Sequence, residues 1–144
     1  MVRHGFIPYL RISHAVSSPN PFTLIISNMD INDDFWAAID KIAAESKIII
    51  DRPKGTIHPR FPDFLYPVDY GYLDNTSSMD GEGIDVWVGT DERKQIDAIL
   101  CTIDLLKRDA EIKILIGCTE KEKETVYRTQ NEKDCMKGIL IRRS

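Results

Sequence analysis

The sequence predicts a mainly β domain, an antiparallel sheet or small barrel with two peripheral α-helices. Three observations predict it. Short apolar segments rich in β-branched residues recur along the chain and are separated by turn signals. Only two stretches carry helix signals. Strands and helices do not alternate in the way that builds a parallel sheet.

The first helix reads from Asn32, a good N-cap, with Asp33 and Asp34 in a first turn where the helix dipole favours anions. Phe35, Ile39, Ile42 and Ala43 repeat at helical spacing as one apolar stripe, which Trp36 widens; the helix should end near Ser46. Ile48-Ile49-Ile50 then reads as a strand, and Pro53-Lys54-Gly55-Thr56 as a turn. His58-Pro59-Arg60-Phe61-Pro62 must be irregular or extended, because each proline lacks a donor and drives its predecessor away from helix. Asp74–Gly83 is a polar loop and Ile84–Val88 a strand. Ile96–Leu106 and Ile112–Cys118 are two more strands, with the charged turn Lys107–Glu111 between them. Thr119 with Glu122 three residues on forms a capping box, so a second helix should run to about Gln130. Met136–Ile141 is the last expected strand.

A chain of 144 residues, 42% hydrophobic and 29% charged, suits one globular domain with a real core. The net charge of −4 argues against a general nucleic-acid binder, but local arginines and metal ions can still make a cleft attractive to a small anion. The apolar runs are too short to span a membrane. Three cysteines form no C-x-x-C pair, and Cys101 and Cys118 lie in apolar runs as buried thiols do. This favours the reducing cytoplasm. Residues 1–28 hold no Asp or Glu and are broken by Ser17-Ser18-Pro19-Asn20-Pro21. An acid-poor, Arg-bearing leader has the composition of an organellar presequence; the plainer reading is a loose arm ahead of a start at Met29. We therefore expect a poorly structured, dispensable leader over 1–28 and a single domain over 29–144.

The sharpest motif is Asp80-Gly81-Glu82-Gly83-Ile84-Asp85-Val86-Trp87-Val88. Ile84, Val86 and Val88 alternate along one strand face, which puts Asp85 on the other. Carboxylates packed as closely as Asp80, Glu82 and Asp85 repel one another unless a cation neutralises them, and hard oxygen donors suit Mg2+. A plain solvated acidic loop would share this composition. Asp109, Glu111 and Lys113 alternate along an extended segment and so share one face, although a charged hairpin would look the same. In Asp51–Arg60 the side chains of Arg52, Lys54, His58 and Arg60 surround a turn, a pattern suited to phosphate oxygens or to a basic surface loop. Tyr66-Pro67-Val68-Asp69-Tyr70-Gly71-Tyr72 follows; Tyr66 and Tyr72 read as ordinary sheet packing.

In this order the basic turn, the Tyr-Pro-x-Asp-Tyr-Gly-Tyr segment and the Asp-Gly-x-x-Ile-Asp-Val segment resemble the soluble inorganic pyrophosphatases. The resemblance is strong over Arg60–Val88, weaker over Lys107–Leu115, and absent before Lys47 and after Thr119. It implies a small OB-like barrel of five antiparallel strands and Mg2+-dependent hydrolysis of inorganic diphosphate to two phosphates. By the same resemblance Asp80, Glu82 and Asp85 are primary metal ligands, and Asp109 and Glu111 hold a further ion. Arg52, Lys54, Arg60, Tyr70 and Lys113 grip phosphate oxygens, with Arg52 and Arg60 both placed to be the family's phosphate-binding arginine. Glu82 is the candidate proton acceptor with Asp85 as its rival, and Tyr70 matches the active-site tyrosine. The partner implied is a small molecule, diphosphate, with neither nucleic acid nor membrane, and a homo-oligomer stays open.

The chain also departs from the family pattern. Glu82 stands where the family has aspartate, and Gly83 where it has proline. Ile48, Ile49 and Ile50 fill the strand of the family's early glutamates, and the C-terminal Tyr-Lys pair has no counterpart. These departures keep two alternatives open. One is a non-catalytic barrel that binds metal and phosphate or a partner protein. The other is a hydrolase of another phosphoanhydride such as a nucleotide, although nothing here resembles a P-loop.

Overall fold

The structure, a computed structural model, describes the backbone from residue 21 and side chains from residue 33 to residue 144. A helix, α1 (Pro21–Ala44), leads into β1 (Ile48–Arg52), β2 (Asp69–Leu73), β3 (Ile84–Val88), β4 (Ile96–Asp104) and β5 (Asp109–Ile116). A second helix, α2 (Glu120–Asn131), precedes β6 (Met136–Arg142). The chain divides between Phe35 and Trp36, and the unit Trp36–Ser144 carries the sheet, both cores and the candidate site.

All six strands form one sheet in the order β1-β2-β3-β5-β4-β6. Every pairing is antiparallel except β3 with β5, which run parallel through Val86↔Ile114, Trp87↔Leu115 and Val88↔Ile116. The fold is therefore mainly β with two helices, as expected, but the sheet is mixed, six-stranded and open rather than a closed five-stranded antiparallel barrel. The added strand is β2. Its central Gly71 permits a close approach to β1: a Cβ there would lie 1.8 Å from the Ile49 carbonyl oxygen. The parallel pair follows from burial. Lys113–Ile116 is buried residue after residue, and a strand covered on both faces belongs inside a sheet. The second strand of the β4–β5 hairpin thus takes the inner position beside β3.

Alternation along the strands sorts two cores. On one face Leu73, Val86, Ile99, Ile114 and Ile116 pack beneath Trp36 and Ile39 of α1. On the other, Trp87, Ala98, Leu100 and Leu115 pack with Tyr66, Val68, Cys118 and Val126 of α2. The stripe of α1 is turned from the expected one: Trp36 (4% exposed) and Ile39 (8%) are its centre, while Phe35 (41%) and Ile42 (36%) are exposed. The large indole sets the rotation because it removes the most apolar area from water. The helix also starts at Pro21 rather than at an Asn32 cap, consistent with proline's preference for a first helical turn. The last residues of the expected leader are thereby helical in backbone, and residues 1–20 lie outside the described residues. The capping box of α2 is as expected: Glu122 N donates to Thr119 Oγ1 at 3.2 Å, and Thr119 N donates to Glu122 Oε2 at 2.9 Å. Among the described residues no helix is long and apolar enough to cross a membrane.

The rotated stripe gives a direct test. Trp36→Ala should cost about 3–5 kcal/mol of unfolding free energy, and Ile42→Ala less than about 1 kcal/mol, by urea denaturation. Equal costs would place the centre of the stripe elsewhere.

Candidate active site

The second face of the sheet carries four of the predicted site residues as well as a core. β2 presents Tyr70, β3 presents Asp85, and β5 presents Glu111 and Lys113. The Lys113 ammonium, 5% exposed, donates to Tyr70 Oη at 3.0 Å, to Glu111 Oε2 at 2.9 Å and to Asp85 Oδ2. It also lies 5.5 Å from the Tyr70 ring centroid. All three of its protons are thus placed. Burial alone would lower the Lys113 pKa, but the negative groups around it outweigh burial and hold it above the usual lysine range. Burial pushes the Tyr70 pKa up, so the phenol keeps its proton. Tyr70 Oη accepts from Lys113, and its own proton goes to the Asp85 carboxylate. Glu111 Oε1 is a buried acceptor with no partner.

Tyr70 is fixed by aromatic packing. Its ring meets Trp87 edge-on at 4.5 Å and tilts onto Tyr66 at 5.3 Å. Tyr66 continues to Phe64 and His58. Tyr66 is therefore a packing residue, as the sequence suggested.

The other predicted residues stand around this cluster. Asp80 is exposed, and its Oδ1 accepts from Glu82 N at 3.0 Å and Ser78 Oγ at 2.9 Å. The Glu82 N–H, with smaller help from Ser78, holds the Asp80 carboxyl below the usual aspartate range. Glu82 is exposed in the same loop, whose Gly81 has φ +83°. Gly83 has no room for a side chain, since a Cβ would lie 2.6 Å from the Tyr72 ring and 2.7 Å from the Leu73 carbonyl oxygen. Asp109 pairs across from Asp104 at the far end of the β4–β5 hairpin, beside a cavity of about 630 Å³ that Met79 also lines. On the basic turn, Arg52 lies opposite Tyr70 in the β1–β2 register, and Lys54 N donates to Asp69 Oδ1 at 2.8 Å. Arg60 is exposed.

Tyr70, Asp85 and Glu111 thus each contact Lys113, whereas Asp80, Glu82 and Asp109 do not. Among the described residues, no three His, Cys, Asp or Glu side chains stand close enough to hold a metal ion together. The donors do fit a hard cation in kind: all are carboxylate oxygens, and the partnerless Glu111 Oε1 is an acceptor ready for one. Sequence reasoning missed His58 as an organised residue. Its imidazole packs on Phe61, Phe64 and Tyr66, and its Nδ1 accepts from Arg60 N at 3.0 Å. The only signal was its place in the basic turn.

No protein-family model matches the chain. The chain is 39% identical over 72 residues to inorganic pyrophosphatase 2 of Pseudomonas syringae pv. tomato, an alignment covering 46% of this chain and 40% of that protein. The chain thus spans about two fifths of the length of the curated relative it matches. Solved structures with a similar trace include the inorganic pyrophosphatase of Helicobacter pylori, at 12% identity and a TM-score of 0.44 over 66% of this chain and 81% of that one. An inorganic pyrophosphatase from Neisseria gonorrhoeae matches at 16% identity and a TM-score of 0.43 over 67% and 73%. The resemblance read from the motifs is borne out over those 72 residues, where the chain is similar to an inorganic pyrophosphatase.

His58 makes the electrostatics testable. Burial first, then Arg52, Arg60, Lys107 and Lys133, hold its pKa below 6.5. Just below pH 6.5 the unfolded chain therefore binds a proton there that the folded chain does not, and stability falls as pH falls through that window. Between about pH 7.5 and about 5.5 the urea midpoint of the parent should drop further than that of His58→Phe. Identical slopes would remove His58 from this positive field.

Proposed function

We propose that the chain hydrolyses inorganic diphosphate with a divalent cation, Mg2+ in the first instance, in the cytoplasm. The observation that carries this reading is the buried contact of Tyr70, Asp85 and Glu111 on one ammonium, Lys113. These are motif residues that the resemblance assigned to one site, and Tyr70 and Lys113 meet across 43 positions of sequence. The similarity to an inorganic pyrophosphatase over 72 residues supports it.

In this reading Asp80, Glu82, Asp85, Asp109 and Glu111 are the residues that would hold the metal. The cation supplies positive charge against the diphosphate and makes a water more acidic. The chain's own residues do the rest. Lys113, fixed by three hydrogen bonds, is a preorganised positive charge that needs no reorganisation as charge develops on phosphoryl oxygens. Tyr70, protonated and bonded to Asp85, would turn its hydroxyl hydrogen from that carboxylate to an oxygen of the substrate. Arg52, Lys54 and Arg60 bind the remaining phosphate oxygens, arginine bidentately and lysine as a point charge. Glu82 is the better proton acceptor of the two candidates. Asp85 Oδ2 is already engaged by a buried ammonium, while Glu82 is exposed and has room to take a proton from a water.

Phosphate release from diphosphate, measured at fixed Mg2+ beside a nucleotide control, tests this. The parent should release phosphate from diphosphate in preference to the nucleotide, and only with the divalent ion present. Glu82→Asp should stay within about tenfold of the parent, whereas Glu82→Gln should lose on the order of 10²-fold or more. Asp85→Asn should be at least as damaging as Glu82→Gln. An active parent whose Glu82→Gln variant keeps full rate would contradict the assignment of the proton acceptor.

A further inference from the structure

The sheet face beneath Trp36 and Ile39 is only partly covered. Register aligns three strands across it. Ile99, Cys101 and Ile103 of β4 stand opposite Ile114, Ile112 and Ala110 of β5. On their other side the same three stand opposite Ile141, Ile139 and Lys137 of β6. Residues directly opposite in an antiparallel pair share a face, so these nine form one grid of three rows. Ile99 and Ile114 are buried with Trp36 and Ile39. Beyond them the grid runs out into solvent, where Ile103, Ile112, Ile139 and Ile141 are exposed. A solvent-facing part of a sheet ordinarily carries polar side chains. Here eight of the nine are apolar. The ninth, Lys137, stands at a corner, and its ammonium donates to the Asn131 and Lys133 carbonyls at 3.0 Å each.

Two cavities follow this surface. One, of about 450 Å³, is lined by Cys101, Ile103, Ile112 and Ile139 among others. The second, of about 630 Å³, adds Met79 and Leu105. They share Ile103 and Ala110, so the surface continues to the tip of the β4–β5 hairpin. Ile103, Ile112, Ile139, Ile141, Met79 and Leu105 are each between 40% and 75% exposed, together more than three whole side chains. At about 150 Å² for a large side chain, that is on the order of 500 Å² of apolar surface. Single exposed hydrophobics need no explanation, but a contiguous patch of this size does. Asp104, Arg108 and Asp109 border it at the hairpin tip.

We propose that this face binds a second copy of the chain, with the two grids stacked face to face about a twofold axis. Size and composition both fit. A stable interface takes about 800 Å² from each partner, and in homodimers roughly 65% of it is apolar, which is about 500 Å². An apolar centre bordered by charged residues is the expected anatomy. A twofold contact asks only that one patch fit itself, and an apolar grid with its one charge at a corner does so. Sheet faces stack in this way at about 10 Å. β6 is the last strand of the sheet, so a copy reaches the grid without crossing another strand. The contact does not depend on the proposed hydrolysis. Glu111 and Lys113 alternate onto the opposite face with Leu115. β6 also lies beyond Thr119, where the resemblance to the pyrophosphatases has ended.

Analytical ultracentrifugation of the full chain, at concentrations from micromolar to about 100 μM, tests this. The parent should reach a dimer within that range, and added salt should not dissociate it, because no ion pair holds the contact. Ile139→Asp and Ile103→Asp should each weaken association on the order of 100-fold or more, since a twofold contact loses the side chain twice. Both positions are more than half exposed in the single chain, so the far-UV circular dichroism should stay that of the parent. Ile139→Thr keeps a β-branched residue in the strand and should weaken association in the same direction, though less. Ile57→Asp, at an exposed position outside the grid, should associate as the parent does. A parent that stays monomeric throughout the range would overturn the proposal, even if this face captures another protein. A dimer untouched by the Ile139 and Ile103 substitutions, or a trimer, would overturn it as well.

Discussion

A buried ammonium is the constraint on which the rest of this structure turns. Taking a lysine out of water is costly unless its charge and all its protons are matched. Lys113 meets both conditions through Tyr70, Asp85 and Glu111. Removing any one of them leaves a buried charge or donor uncompensated, so the cluster acts as a unit rather than as separate bonds. It also sets the state of each member. Tyr70 stays a phenol, Asp85 is drawn to the ammonium, and Glu111 keeps Oε1 without a hydrogen-bond partner among the described residues.

That cluster exists because of the strand order. Asp85 on β3 and Lys113 on β5 meet because β5, and not β4, pairs with β3. In a simple antiparallel meander β4 would stand between them. The apolar end of β5 decides the matter. Ile114, Leu115 and Ile116 fill both cores at once, so the strand must be interior, and its polar beginning, Asp109–Lys113, is carried alongside the acidic loop that precedes β3. The same alternation that packs Leu115 on Trp87 therefore places Lys113 and Glu111 on the face of the candidate site. Core and site are two parts of one pleat.

Much of this was legible in the sequence where the signal is local. Period-2 alternation gave β3 and the shared face of Asp109, Glu111 and Lys113, and the Thr119 and Glu122 pair gave the start of α2. The misses are non-local. β2 reads poorly as a strand because its tyrosines flank a glycine after a proline, and what makes it a strand is the approach of β1 over Gly71. The parallel pairing of β3 and β5 depends on burial on both faces, which alternation within one strand does not report. The stripe of α1 was displaced because counting apolar positions weighs Ile42 like Trp36, whereas burial follows area.

The most direct test is the titration of the Lys113 ammonium itself, followed by nitrogen-detected NMR on lysine-labelled full-length chain. The account predicts that this one lysine keeps its proton well beyond the ordinary value of about 10.4, and that Asp85→Asn or Glu111→Gln brings its pKa down. A Lys113 that titrates with the solvent-exposed lysines, or one indifferent to both substitutions, would contradict it.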